Sequence, residues 1–372
     1  MIRTACPYCG VGCGVVATPD GRGGAEVIGD AAHPANRGRI CSKGAALGET
    51  LGLEDRLLHP EIDGRRVSWD SALDTVARGF ADVLARHGPD AAAFYVSGQL
   101  LTEDYYVANK LIKGFIGTAN IDTNSRLCMA SSVAGHKRAF GSDTVPGVYE
   151  DFEQADLVVL TGSNLAWCHP VLFQRLEAAK RERPQMKVVV IDPRRTETCD
   201  IADLHLPLRP GSDVALFNGL LVALRRRGVI ATDFVSSYTT GLEAALSAAE
   251  ASSLDACGLP AEDIATFFDW FCSVEKTVTL YSQGVNQSSA GVDKVNAIIN
   301  THLFTGRIGR PGAGPFSITG QPNAMGGREV GALSNMLAAH LDWDRPGDLD
   351  KLRRFWGVDT IAARPGLKAV EL

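Results

Sequence analysis

Apolar residues along this chain recur with two different periods. In SWDSALDTVARGFADVLARHGPD, the positions Ala72, Leu73, Val76, Phe80, Val83 and Leu84 return every three or four residues, which predicts an amphipathic helix. Ser68 can cap its start, and Gly88-Pro89 ends it. AAAFYVSG (91–98) reads as a buried strand closed by glycine, and a second helix is expected over 102–116. From residue 150 onward the pattern changes to short, wholly apolar runs. DLVVLTG (156–162), KVVVIDP (187–193) and TVTLYSQG (277–284) are predicted strands. Helices are predicted over 170–182, over 212–227 with Gly228 as the stop, and over 290–304. Strands that are apolar throughout and alternate with helices imply an α/β fold with a parallel sheet covered on both faces. RPGAGPFSITGQPNAMGGREVG (310–331) holds too much Gly and Pro for a regular element and reads as a loop.

The chain has 372 residues, enough for two or three domains. Its 45% hydrophobic and 22% charged content is that of a soluble globular protein, and the net charge of −6 argues against a nucleic-acid partner. No apolar run reaches the length of a membrane span. The opening MIRTACPYCG has neither an apolar signal region nor a twin arginine, so the expected location is the cytoplasm.

Candidate chemistry begins with Cys6, Cys9, Cys13 and Cys41, spaced C-x2-C-x3-C-x27-C. Three thiols share the glycine-rich loop CPYCGVGCG and the fourth arrives in RICSKG. A 4Fe–4S cluster needs four converging thiolates, and Gly10, Gly12 and Gly14 let a loop wrap that tightly. Two disulfides are the first alternative, which the missing secretory signal and the scattered other cysteines disfavour. Zinc is the second, although structural zinc sites usually offer two C-x2-C knuckles. Residues 1–56 show little apolar periodicity and are expected to be held together by the metal, with RLLHPEIDG (56–64) as a connector. The lone cysteines Cys128, Cys168, Cys199, Cys257 and Cys272 have no metal-ligand spacing, and most such residues are small core hydrophobes.

In open parallel sheets, ligands bind beyond the carboxyl ends of the strands. TGSNLAWCHP (161–170), IDPRRTET (191–198), LRPGSD (208–213) and YSQGVNQS (281–288) fall there. Gly162 and Gly211 would let backbone approach phosphates. Asp192 and Asp213 could bind a purine edge or a ribose hydroxyl, or Ser212 and Asp213 could simply cap the next helix. No GxGxxG is present, so the residues point to a nucleotide-containing cofactor other than an ordinary NAD site.

CPYCGVGC with Cys41 and Lys43, NSRLCMASSVAG (124–135), GSNLAWCHP (162–170), VIDPRRTET (190–198), LRPGSD and TGQPNAMGGREVG (319–331) together resemble the molybdopterin oxidoreductases. The likeness runs over the whole chain and is nearest to the catalytic subunits of cytoplasmic assimilatory nitrate reductases. It implies a cluster module at 1–56 and the first part of pterin-binding domain II at 57–123. A Rossmann-like domain III for pterin guanine dinucleotide would span 124–318, with an incomplete return to domain II at 319–372. The implied cofactors are the 4Fe–4S cluster and molybdenum bis(molybdopterin guanine dinucleotide). Cys128 sits where the family places its thiolate ligand to molybdenum, a soft donor suited to that metal. Lys43 corresponds to the lysine between cluster and pterin. Cofactor contacts are implied for Arg126, Gly162, Ser163, Asn164, Asp192, Arg194, Thr196, Gly211, Asp213, Gly284, Asn286, Gln321 and Asn323.

Met129 bears on the substrate. Formate dehydrogenases of the family carry His at this position, where it handles the formate proton; Met cannot, which favours nitrate. Arg328 resembles the family's substrate arginine, whose planar fork matches nitrate. The activity implied is nitrate reduction to nitrite, with electrons from ferredoxin, flavodoxin or an NADH-linked partner. The alternatives are a formate dehydrogenase and a non-catalytic fragment that holds only the cluster. Family chains run longer and close with a β-rich domain, so 332–372 is expected to be a half-finished element of a fragment or truncated product with little turnover.

Overall fold

The chain opens with three antiparallel strands, β1 (Ile2–Ala5), β2 (Gly14–Pro19) and β3 (Ala25–Gly29). They are described in a computed structural model that covers residues 1–372. The weak apolar periodicity over residues 1–56 gives no sign of this sheet. Its strands are short, β1 is exposed along its whole length, and glycine sits at the ends of β2 and β3, so no period-two signal survives. The expected connector at 56–64 runs into a small hairpin, β4 (Glu61–Ile62) and β5 (Arg65–Arg66). Asp63 and Gly64 between them both have positive φ, 52° and 72°, as a tight Asp-Gly hairpin turn requires.

The first predicted helix spans Trp69–His87, and the Ser68 side chain accepts from the Ser71 N–H at 3.2 Å. The strand expected over 91–98 shrinks to β6 (Phe94–Val96), paired in parallel with β7 (Ile121–Thr123). Between them the expected 102–116 helix is α-helical over Thr102–Lys110 and then widens into a π turn at Leu111–Ile116.

Strands β8 (Leu157–Thr161), β9 (Lys187–Ile191), β10 (Leu204–Leu206), β11 (Thr277–Tyr281) and β12 (Gly314–Ser317) form one parallel sheet in the order β10-β9-β8-β11-β12. The expected α/β class with a parallel sheet is therefore what the chain adopts. Successive residues of β8 and β9 enter opposite cores. Leu157, Val159, Val189 and Ile191 join one cluster, while Val158, Leu160, Val188 and Val190 join the other. Two covered faces explain runs without polar alternation. Helices Pro170–Glu182, Asp213–Arg226 and Gly291–Phe304 lie within a residue of their predicted bounds.

Two expectations need correction. Residues 310–331 are not a loop throughout: they hold β12 and the helix Ala324–Glu329. Pro315 is tolerated because β12 is an edge strand. Ser212 does not cap its helix through the side chain, since its hydroxyl donates to the Arg209 carbonyl at 2.7 Å. The segment 332–372 includes the helix Asp348–Trp356 and builds a small core of its own from Leu337, Leu352, Trp356 and Val358.

Candidate functional site

The antiparallel pairing of Ala5 with Gly14 turns the cysteine loop into the tip of a hairpin, closed by the Cys6 N–H bond to the Cys13 carbonyl at 2.8 Å. Gly12, at φ 66°, donates back to the Cys9 carbonyl. Cys41 comes from a separate turn that Asn36 holds in place. Wholly buried, Asn36 receives the Gly14 N–H at 2.8 Å and donates to the carbonyls of Gly14 and Arg39. Tyr149 donates to the carbonyl oxygens of Gly10 and Val11, and buried Arg175 donates to those of Pro34 and Ala35. Tyr149 and Arg175 fix the module to the sheet domain, Asn36 braces it from within, and the cysteine spacing gives no hint of the three.

Burial raises the pKa of Cys6, Cys9 and Cys13, and repulsion among the sulfurs adds to it, taking Cys13 to about 12. Cys41 acts on all three and the Lys43 ammonium opposes at Cys6 and Cys9, so the four thiols and this lysine share one electrostatic neighbourhood. Yet no three His, Cys, Asp or Glu side chains close on a point the size of one metal ion. Four thiols that share one neighbourhood supply the donor set of a 4Fe–4S cluster.

The order of the large sheet reverses between β8 and β11, and a ligand crevice is expected at the carboxyl ends of that pair. There the loops cross backbone to backbone. Gly162, at φ 53°, accepts the Gly284 N–H at 2.9 Å, and a Cβ on either residue would strike the other's main chain. Beside the crossing, the buried hydroxyls of Thr161 and Ser163 have no hydrogen-bond partner, and neither has that of Ser125 near Gly98. Such orphaned donors suit a polar cofactor laid along this edge. Asn164 accepts from the Thr198 hydroxyl at 2.9 Å. Asp192 accepts the Arg194 N–H at 2.9 Å, which leaves the Arg194 side chain exposed. Thr196 opens a 3-10 turn, and Gly211, at φ 90°, faces open space.

Other residues of the expected set serve the protein itself. Asp213 forms a buried ion pair with Lys294 at 2.7 Å. Asn286 receives the Ser132 N–H and donates to the Ser282 carbonyl, tying the Ser125–Phe140 helix to the β11 loop. Gln321 accepts from the Thr319 hydroxyl, and Asn323 donates to the Leu100 carbonyl.

Cys128 lies buried in the Ser125–Phe140 helix, its Sγ 3.9 Å from Gln283 Nε2. The helix kinks at the next residue, where Met129 has φ −128° and ψ 15°. Met129 lines a cavity of about 400 Å³ together with Arg126, Ser132, His136, Asp143 and Arg328. Arg328 reaches the cavity of Met129 from a distant part of the chain and pairs there with Asp143 at 3.1 Å. Lys43 is exposed on the cluster module; neither it nor Cys128 is among the lining residues. Arg126 is held by Asp122 at 2.8 Å and by Asn335 at 2.6 Å. The lining carries four cations, Arg126, Lys137, Arg328 and Lys368, against one carboxylate, Asp143. His136, which also lines the cavity, bonds the buried Tyr281 hydroxyl at 2.7 Å, and its other ring nitrogen has no partner.

Comparison with known proteins agrees with this geometry. Residues 1–51 match the molybdopterin oxidoreductase Fe4S4 domain, and residues 56–372 match the molybdopterin oxidoreductase family. A nitrate reductase of Klebsiella oxytoca is 60% identical over 100% of this chain and 42% of its own length. One from Shewanella frigidimarina is 46% identical over 100% of the chain and 41% of its own length. A periplasmic nitrate reductase of Desulfovibrio desulfuricans is 38% identical over 100% of the chain and 52% of its own length. The chain therefore spans about half or less of these relatives. Acetylene hydratase from Pelobacter acetylenicus shares the fold, with a TM-score of 0.75 at 23% identity over 84% of this chain and 44% of its own. Cluster loop, switch-point crevice and both matched domains together make this chain a member of the molybdopterin oxidoreductase family.

Proposed function

We propose that this chain is the cofactor-binding portion of a molybdenum-dependent nitrate reductase, of the cytoplasmic assimilatory type. The observation that carries the reading is the charge of the cavity that Met129 and Arg328 line. Four cations face two carboxylates, Asp122 behind Arg126 and Asp143 beside Arg328, and this excess of positive charge favours a small anion whose oxygens match the planar forks of the two arginines. The names of the relatives point the same way.

When bound, molybdenum held by two molybdopterin guanine dinucleotides supplies two-electron oxygen-atom exchange, and the 4Fe–4S cluster supplies electrons singly. Cys6, Cys9, Cys13 and Cys41 would hold the cluster and Cys128 the molybdenum. Gly162, Ser163, Asn164, Asp192, Arg194, Thr196, Gly211 and Gly284 would take the nucleotide end of one pterin along the sheet edge. Arg328 orients nitrate, with Asp143 fixing one end of its guanidinium. Met129 brings no titratable group to the cavity, in keeping with a substrate that has no C–H proton to remove. Lys43 places a positive charge beside Cys6 and Cys9, where electrons leave the cluster module. Each turnover consumes two electrons and two protons and releases nitrite and water. The electrons come from a donor protein, a ferredoxin, flavodoxin or NADH-linked subunit.

The test is to express the complete gene product and measure molybdenum, guanine nucleotide, and dye-linked activity with nitrate and with formate. Nitrate turnover far above formate oxidation is expected, with Arg328→Lys raising the KM for nitrate while molybdenum stays bound. Preference for formate, or an unchanged KM in that variant, overturns the assignment.

A further inference from the structure

Lys113 is wholly buried, and no part of the proposed chemistry uses it. It lies in the π turn Leu111–Ile116, a rare local geometry that recurs at functional sites. Its Nζ donates to the carbonyl oxygens of Gly331 at 2.6 Å, Leu333 at 2.9 Å and Met336 at 2.6 Å. An ammonium has three N–H donors, and all three are spent on a single stretch of main chain.

That stretch is a wall of the cavity. Leu333, Asn335 and Met336 line it, and Gly331, two residues past the end of the helix that carries Arg328, donates its N–H to the Arg328 carbonyl at 3.0 Å. Arg126 grips the same wall through Asn335. Burial pushes the Lys113 ammonium down to about 7, and Asp122, which is bonded to Arg126, pulls it back toward the charged form. A buried cation is expensive unless it is paired and fully hydrogen-bonded. A site that meets that cost in order to hold six residues of main chain does more than fill space.

We propose that Lys113 is a positioning residue that sets the 331–336 wall, and through it the fit of the oxyanion next to Arg328. The inference rests on the reading of the cavity as an oxyanion site, but its main test does not need turnover.

Lys113→Met keeps the volume and removes every donor. In the complete, cofactor-loaded protein, backbone hydrogen exchange of 331–336 should accelerate at least tenfold relative to wild type. Exchange in the β8–β11 region should be unchanged, and molybdenum and iron contents retained. The KM for nitrate should rise about tenfold with kcat within about twofold, since ground-state fit is lost and the reacting groups are untouched. Lys113→Gln keeps two donors and should give a smaller shift of both quantities. It also serves as the informative variant if Lys113→Met does not fold. Exchange at 331–336 unchanged in a folded variant overturns the proposal. So does loss of iron, molybdenum and activity in parallel, which marks a residue needed only for folding. If wild type reduces no nitrate but exchange responds as stated, the reading of the substrate is wrong and the role of Lys113 in the wall stands.

Discussion

Two helices of this chain carry the same kind of apolar stripe and meet different surroundings. Asp213–Arg226 lays Leu216, Phe217, Leu220, Leu221 and Leu224 into the core on one face of the five-stranded sheet. Trp69–His87 repeats apolar residues just as regularly, yet none of its residues is buried, and Trp69, Leu73 and Val76 stand open to solvent. Only Phe80 and Leu84 lean on a small cluster, Phe80 meeting Phe94 edge to face. Periodicity reports that a helix has an apolar side. It does not report what covers that side, which is settled by residues far away in sequence. The two regions should therefore answer perturbation very differently, although their sequences look alike.

The sharpest contrast is expected at Phe217. It is fully buried and packs edge to face on Phe267. Phe217→Ala should lower stability by about 3–5 kcal/mol, read as a fall in the urea midpoint with an unchanged slope. A loss under about 1 kcal/mol would mean that the core collapses around the cavity and is less rigid than its packing implies.

This contrast also marks how far the sequence could be read. β8, β9 and β11 were legible because both faces are covered, which forces continuous apolar runs. The four cluster cysteines were legible because thiols at that spacing have few other uses. β12 was hidden, since GPFS looks like a turn until one sees that an edge strand accepts proline. The antiparallel β1–β3 sheet was hidden by its glycines. The supporting residues Asn36, Tyr149 and Arg175 act through partners more than a hundred positions away or through main-chain carbonyls, and neither leaves a trace in local composition. Asp213 was legible as a polar residue at a strand's carboxyl end, but its ion pair with Lys294 was not. Lys113 gave no signal at all, because one lysine inside LIKGFI reads as the exposed face of a helix.

A smaller effect concerns pH, and it too belongs to the sheet region. His302 is entirely buried, and burial holds its pKa well below the ordinary histidine value, with Arg307 adding to the shift. His136 and His169 are lowered mainly by burial as well. An unfolded chain protonates each near its ordinary pKa of about 6.5, while the folded protein keeps them neutral. Below that pH the unfolded state holds more protons, so stability present above about 6.5 is lost as the pH falls. Each histidine contributes up to about 1.4 kcal/mol per pH unit until its folded pKa is reached. The urea midpoint should fall between about pH 7.5 and about pH 5.5, and His302→Gln should flatten the slope. A midpoint independent of pH over that range would show that these rings are open to water.

The smallest expected effect is the most informative about the uncovered helix. Leu73 and Val76 lie on the apolar stripe of Trp69–His87 and are 59% and 55% exposed. Leu73→Ser removes apolar surface that already faces water, so only the helix-propensity difference and a few lost contacts remain. Both are small, and the change in stability of this 372-residue chain should stay within about 0.5 kcal/mol, against about 3–5 for Phe217→Ala. The substitution should also reduce self-association, because Trp69, Leu73 and Val76 form one apolar face on a chain of modest net charge. Sedimentation of wild type and variant over a range of concentrations reads this directly. A destabilisation above about 1.5 kcal/mol would mean that the stripe is packed against something in solution, since an exposed leucine has too few contacts to lose that much. The same urea titration applied to the longer gene product then sharpens the comparison. If additional chain covers this face, the cost of Leu73→Ser should climb toward that of Phe217→Ala, because the two stripes differ in what lies over them and not in what they are.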